Sequence, residues 1–261
     1  FDVAAGWLFE GMAKAFGNGA ARLAVVGENP ELLANEDSEK VSRAARARGA
    51  AYKPAAKFMA DFAINWSICS YATKAWSRKV FPDLAPRDAQ KALFDAIFKA
   101  SRSDCEDPIA NWKAHNLALS AHTKYLDEMN FATLHFRGPG TDLKVGLADN
   151  HKWCAAGGKA QNGVFCNANV PSEEVFTTPH KMRVEGTASS TKPLNLGGTI
   201  VDNIRIRFEG GKVVEAGATR GSDALQRLIG TDEGARRLGE VALVPHSSPI
   251  SQSGILFYET L

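Results

Sequence analysis

The stretch Asp107-Pro-Ile-Ala-Asn-Trp-Lys-Ala-His-Asn-Leu-Ala-Leu-Ser-Ala-His-Thr-Lys-Tyr-Leu-Asp-Glu128 and the residues after it, Phe131-Ala-Thr-Leu-His-Phe-Arg-Gly-Pro-Gly-Thr-Asp-Leu-Lys-Val-Gly-Leu147, mark where this chain changes character. Asp107 as N-cap and Pro108 at the first helical position predict a long helix running to about residue 128. Immediately afterwards, residues 131–136 and 143–147 flank Gly138-Pro139-Gly140, which reads as a hairpin. The expected fold is α/β with α+β character. A helix-rich α/β domain over 1–128 precedes a β-rich domain over 129–261.

Upstream, Trp7, Leu8, Met12 and Phe16 recur near helical spacing and stop at Gly17-Asn18-Gly19, a strong terminator. Leu23-Ala-Val-Val26 predicts a short strand closed by Gly27 to Pro30, read as the last strand of an α/β layer whose earlier members precede Phe1. Helices are expected over 38–48, 54–65 and 88–101, the last with Leu93, Phe94, Ile97 and Phe98 as its apolar stripe. Downstream, strands are expected over 182–189, 199–208 and 212–219, with Gly210-Gly211 as a hairpin turn. Ser222 and Thr231 are expected to cap two short helices, Gly239 to end the second, and 241–244 to form a strand, so that Glu240 stands where helix gives way to strand. Residues 149–167 form the longest stretch without a clear element, and they lead into the most chemically informative segment.

That segment is Asn169-Val-Pro-Ser-Glu-Glu-Val-Phe-Thr-Thr-Pro-His180. It holds two adjacent carboxylates in an apolar, Pro-bracketed, extended chain. A charge stripped of water costs several kcal/mol or more unless it is compensated. Alternation puts Glu174, Phe176 and Thr178 on one face and Glu173, Val175 and Thr177 on the other. At least one of the two glutamates should therefore point inward, towards a metal ion, a basic residue or a proton. For Glu174 the alternatives are a metal or catalytic role, a buried arginine partner (Arg183 and Arg237 are candidates), or solvent. Glu173 is expected to face outward or to be structural. His180, six residues after Glu174, is a candidate further metal ligand, but it reads rather as a packing or supporting residue. His246 is a weaker candidate. His115 and His122, seven apart on one helix face, are too distant for joint chelation. Thr177 and Thr178 suit hydrogen bonding to substrate or simple strand propensity equally well.

The wording PSEEVFTTPH at 171–180, RVEG at 183–186 and TDEGARRLGEVALVP at 231–245 resembles the metal-dependent aminopeptidases of the thermophilic aminopeptidase family. WLFEGMAKAF at 7–16, EDPIANWKAHN at 106–116 and HFRGPGTDLKVGL at 135–147 extend the resemblance along the whole chain. The resemblance implies a cytoplasmic exopeptidase, acting as a homodimer, that removes N-terminal residues from peptides with two bound divalent metal ions (zinc, cobalt or manganese). It places two metal ligands on Glu174 and Glu240. The family's remaining ligands, a His, a Tyr and a His-x-Asp pair, fall beyond Leu261, and a further family segment precedes Phe1. The chain thus reads as the central portion of a longer enzyme. The rival reading is a non-catalytic fold or interaction module with an incomplete metal site.

Composition narrows the partners. A 261-residue chain with 44% hydrophobic and 23% charged residues is ordinary for a globular protein. Its net charge is only +2, and Arg46-Ala-Arg48 reads as a solvated helix face, so no nucleic-acid footprint is expected. No apolar run approaches a membrane span of about 18 residues. Cysteines 69, 105, 154 and 166 form no C-x-x-C pair, which fits a reducing compartment. There is no G-x-S-x-G elbow and no phosphate-binding glycine loop.

Overall fold

The computed structural model describes residues 1–155 and 157–258. Helix α1 (Gly6–Gly17) and strand β1 (Arg22–Val26) follow the sequence expectation. Helix α2 (Ser38–Ala60) corrects it, because the two helices expected over 38–48 and 54–65 are one. Asp37 caps it, its carboxylate accepting from the backbone N–H of Glu39 and Lys40. Pro54 lies inside and removes one helical hydrogen bond. Packing against α1 outweighs that loss: Tyr52 meets Phe9 edge-on at 5.3 Å, Phe58 meets Phe16 at 6.1 Å, and Ala55 is fully buried. The helix stops at Asp61, and Phe62 turns into the left-handed region with φ +50°.

The chain then forms β2 (Trp66–Ser70), a strand without a local sequence signal, and helices α3 (Lys74–Val80), α4 (Pro86–Ala100) and α5 (Pro108–Met129). Ala89, Leu93, Ile97 and Ala100 make the buried stripe of α4. The Asp107 carboxylate accepts the Ala110 N–H at 2.9 Å, as an N-cap should, and Asn130 ends α5 in the left-handed conformation.

The second half is built of strands β3 (Thr133–Gly138), β4 (Thr141–Leu147), β5 (Cys154–Ala155), β6 (Gly157–Lys159), β7 (Phe165–Asn167), β8 (Asn169–Val170), β9 (Val175–Thr177), β10 (Pro179–Ser189), β11 (Leu194–Leu196), β12 (Thr199–Val201), β13 (Arg205–Glu209) and β14 (Lys212–Gly217). Helix α6 (Ser222–Ile229), a single 3-10 turn over Gly234–Arg236, strand β15 (Val241–Leu243) and helix α7 (Pro249–Ser253) complete it. The stretch 149–167 is therefore not featureless: it contributes β5 and the β6–β7 hairpin. The single strand expected over 199–208 is two. Asn203 takes φ +51° between them, and its N–H donates to the Asp202 side chain, the local bonding that makes Asp-Asn a turn. Gly221, not Ser222, is the N-cap of α6. The second short helix reduces to the 3-10 turn, in which Asp232 rather than Thr231 accepts the Ala235 N–H. Gly210 and Gly211, at φ +55° and +75°, form the tight β13–β14 hairpin as expected.

A five-stranded antiparallel sheet runs in the order β14-β13-β10-β4-β3. Its inner face, with Leu143, Val145, Leu147, Val184, Phe208 and Val213, shares one core with Leu119 of α5, Trp153, Val175 and Val241. Strand β1 is not the last of its layer. Among the described residues it pairs with β2 in a parallel sheet ordered β1-β2-β8, whose third strand comes from beyond residue 128. Leu23 and Val25 on β1 are exposed.

Candidate metal centre

Strand β9 is the middle strand of the small sheet β15-β9-β5. Val241 pairs with Thr177, Ala242 with Phe176 and Leu243 with Val175. Cross-strand partners in an antiparallel pair project to the same side, and alternate residues follow them. Phe176 and Ala242 therefore mark one face. Continuing the alternation places Glu174 and Glu240 on that face, at opposite ends of the short ladder. Glu173, Val175 and Thr177 occupy the other face, and all three are buried.

The expectation that Glu173 faces outward is thus wrong, while a structural role for it holds. Its side chain is 4% exposed and is gripped by both terminal nitrogens of Arg102, itself 15% exposed, with Nη2 donating to Oε2 at 2.7 Å. The His115 Nε2–H donates to the Ser172 carbonyl at 2.8 Å, and this nitrogen lies 3.8 Å from Glu173 Oε1. The arginines proposed as partners of Glu174 are engaged elsewhere. Arg183 bonds Asp149 and the Leu147 carbonyl, and Arg237 bonds the Lys181 carbonyl.

Glu174 is half-buried. Burial, and then the negative charge of Glu240, push its carboxyl above the usual range. Among the described residues no Lys, Arg or His forms a salt bridge with either carboxylate. Two hard oxygen donors that repel one another and have no cationic partner fit a divalent cation. They fit it in part: among the described residues no group of three or more His, Cys, Asp or Glu side chains converges on one point. Glu174 opens onto a cleft of about 300 Å³, lined also by Asn169, Pro171, Lys192, Val244 and Ser251.

The remaining candidates are accounted for separately. His180 Nδ1 accepts the Met182 N–H, His246 bonds the Ser251 hydroxyl, and His122 is exposed. The Thr177 hydroxyl is turned into the fold to donate to the Lys152 carbonyl at 2.7 Å, and Thr178 is exposed. Arg102 was missed by sequence reasoning. It lies 71 residues before its partner, at the end of α4, and nothing local distinguishes it from a surface arginine.

Glu174 thus stands at the wall of the cleft, while Glu240, on the same strand face, is exposed to solvent. The chain is a member of the thermophilic metalloprotease (M29) family, whose model matches residues 1–261. Aminopeptidase T of Thermus thermophilus is 52% identical over 260 residues, which cover 100% of this chain and 64% of that protein. Aminopeptidase AmpS of Bacillus subtilis is 41% identical over 255 residues, 98% of this chain and 62% of the relative. The solved structure of wild-type AmpT from Thermus thermophilus superposes with a TM-score of 0.91 at 50% identity, covering 99% of this chain and 64% of that one. The chain therefore spans just under two thirds of the length of these relatives.

Proposed function

We propose that this chain forms part of a metal-dependent aminopeptidase that removes N-terminal residues from peptides. In this reading residues 129–261 carry the catalytic face and the helix-rich residues 1–128 support it. Glu174 and Glu240 are ligands to two divalent ions of the zinc, cobalt or manganese type. The other ligands are the His, Tyr and His-x-Asp side chains that the family resemblance puts beyond Leu261. The observation that carries the reading is the pair of carboxylates on one face of β9 and β15, with no salt-bridge partner among the described residues and with the Glu174 proton held more tightly than usual.

When bound, such ions supply Lewis acidity, lowering the pKa of a coordinated water and polarising a carbonyl. The chain's own residues prepare the site. Glu174, on the cleft wall, and Glu240, on the same strand face, would hold the ions and partly neutralise their positive charge. Both oxygens of Glu173 are engaged by Arg102, so this carboxylate serves the fold around the site. The substrate is a peptide with a free N-terminus, the assembly is a homodimer and the compartment is the cytoplasm. The four free cysteines are compatible with the last point. The rival interaction module finds no support in the relatives, which carry aminopeptidase names.

The test is Glu174→Gln in the full-length polypeptide, which keeps the shape and removes the charge. Loss of bound metal and of hydrolysis of an amino-acid p-nitroanilide is expected. Near-normal turnover with full metal content would remove Glu174 from the site.

A further inference from the structure

Residues 171–174 cross from β8, in the parallel sheet, to β9, in the small antiparallel one. None of the four belongs to a strand. Outside the strand ladders, no backbone–backbone hydrogen bond engages them among the described residues. The segment that carries Glu174 into the cleft is instead held by side chains of the helical half. Arg102, just past α4, clamps both oxygens of Glu173, and His115 of α5 holds the Ser172 carbonyl. Those anchors are themselves fixed. Arg102 sits at φ +53°, a conformation unusual for a residue with a Cβ. The Trp112 indole donates to the Ser101 carbonyl at 2.7 Å and stacks edge-on against His115 at 5.5 Å.

We propose that Arg102 and His115 are positioning residues for Glu174: by clamping Ser172 and Glu173 they set where the neighbouring carboxylate stands in the cleft. Adjacent side chains of an extended segment point to opposite sides, so fixing Glu173 in the fold fixes the direction of Glu174. The bidentate guanidinium–carboxylate contact defines an orientation as well as a distance, which a single ammonium contact does not. A misplacement of about 1 Å at a ligand is enough to loosen a metal site. The inference rests on the reading of Glu174 as a metal ligand, and it adds the elements that make that ligand rigid.

The experiment uses the full-length polypeptide with Co²⁺ as the probe, whose visible absorption bands report coordination geometry. Three variants are compared with wild type: Arg102→Lys, the double change Arg102→Met/Glu173→Leu, and Glu174→Gln as reference. The double change removes the clamp without leaving a buried unpaired charge, and such replacements are often neutral for folding. Arg102→Lys keeps the charge and provides a second, milder variant. The double change is expected to melt close to wild type when metal-free and Arg102→Lys to melt lower while remaining folded, yet both to bind Co²⁺ at least about tenfold more weakly, with altered absorption bands. Wild-type affinity and bands in a folded clamp variant, while Glu174→Gln is impaired, would overturn the positioning role alone. Unchanged Co²⁺ binding by Glu174→Gln would instead overturn the reading of the site beneath it.

Discussion

Glu173→Gln puts the buried face of β9 to a quantitative test. From strand alternation alone, this variant would be the quiet control for Glu174→Gln. The structure predicts otherwise. The Gln carbonyl can accept one N–H from Arg102, but its amide NH₂ then confronts the second, and one charge-assisted bond of about 1.5–3 kcal/mol is lost. Arg102, 15% exposed, is also left without a counter-charge. Removing one partner of a buried ion pair costs about 3–5 kcal/mol, and the residual exposure of Arg102 argues for the lower end, about 3 kcal/mol. At about 2–4 °C per kcal/mol for a chain of this size, the melting temperature should fall by about 6–12 °C. Thermal and denaturant unfolding of the metal-free protein measures this directly. Glu233→Gln is the comparison, because the Glu233 side chain is 85% exposed in its pair with Lys212. It should leave stability nearly unchanged. A Glu173→Gln variant as stable as Glu233→Gln would refute the buried clamp.

Glu174 should also leave a signature in the pH dependence of the metal-free protein. Its folded-state pKa is raised by burial and by Glu240, so across the window from the ordinary carboxylate pKa up to the raised value the folded state binds more protons than the unfolded one. Wild type should therefore lose stability relative to Glu174→Gln as pH rises through that window, then run parallel to it above. A difference that is flat with pH, from denaturant midpoints, would contradict the shift. In the helical half, Leu93 is fully buried in the cluster with Trp76, Ile97 and Phe257, so Leu93→Ala should cost about 2–5 kcal/mol in the same unfolding assay. A cost below about 1 kcal/mol would mean that this cluster is loosely packed.

Much of the fold was legible locally because its signals are local. The Asp107-Pro108 start of α5, the Gly17–Gly19 stop of α1 and the Gly210-Gly211 hairpin each follow from backbone chemistry within a few residues, and each is found where it was read. The errors fall where a distant partner intervened. Pro54 should break a helix, and α1 packing carries the helix through it. Residues 66–70 have no alternation to announce a strand, being partly buried on both faces between β1 and β8.

The candidate site divides in the same way. Period-two alternation correctly separated Glu173 from Glu174 onto opposite faces, since it depends only on extended backbone geometry. Which face is the core depends on what packs there, and alternation carries no such information. The placement of Glu240 on the face of Glu174 required the β9–β15 register, a pairing between segments far apart in the chain. The burial of Glu173 required Arg102, delivered from the end of α4 by the packing of helices against strands. A residue's neighbours along the chain dictate its backbone and the side to which it points; whether that side meets solvent, a guanidinium or a second carboxylate is set by segments brought together from afar.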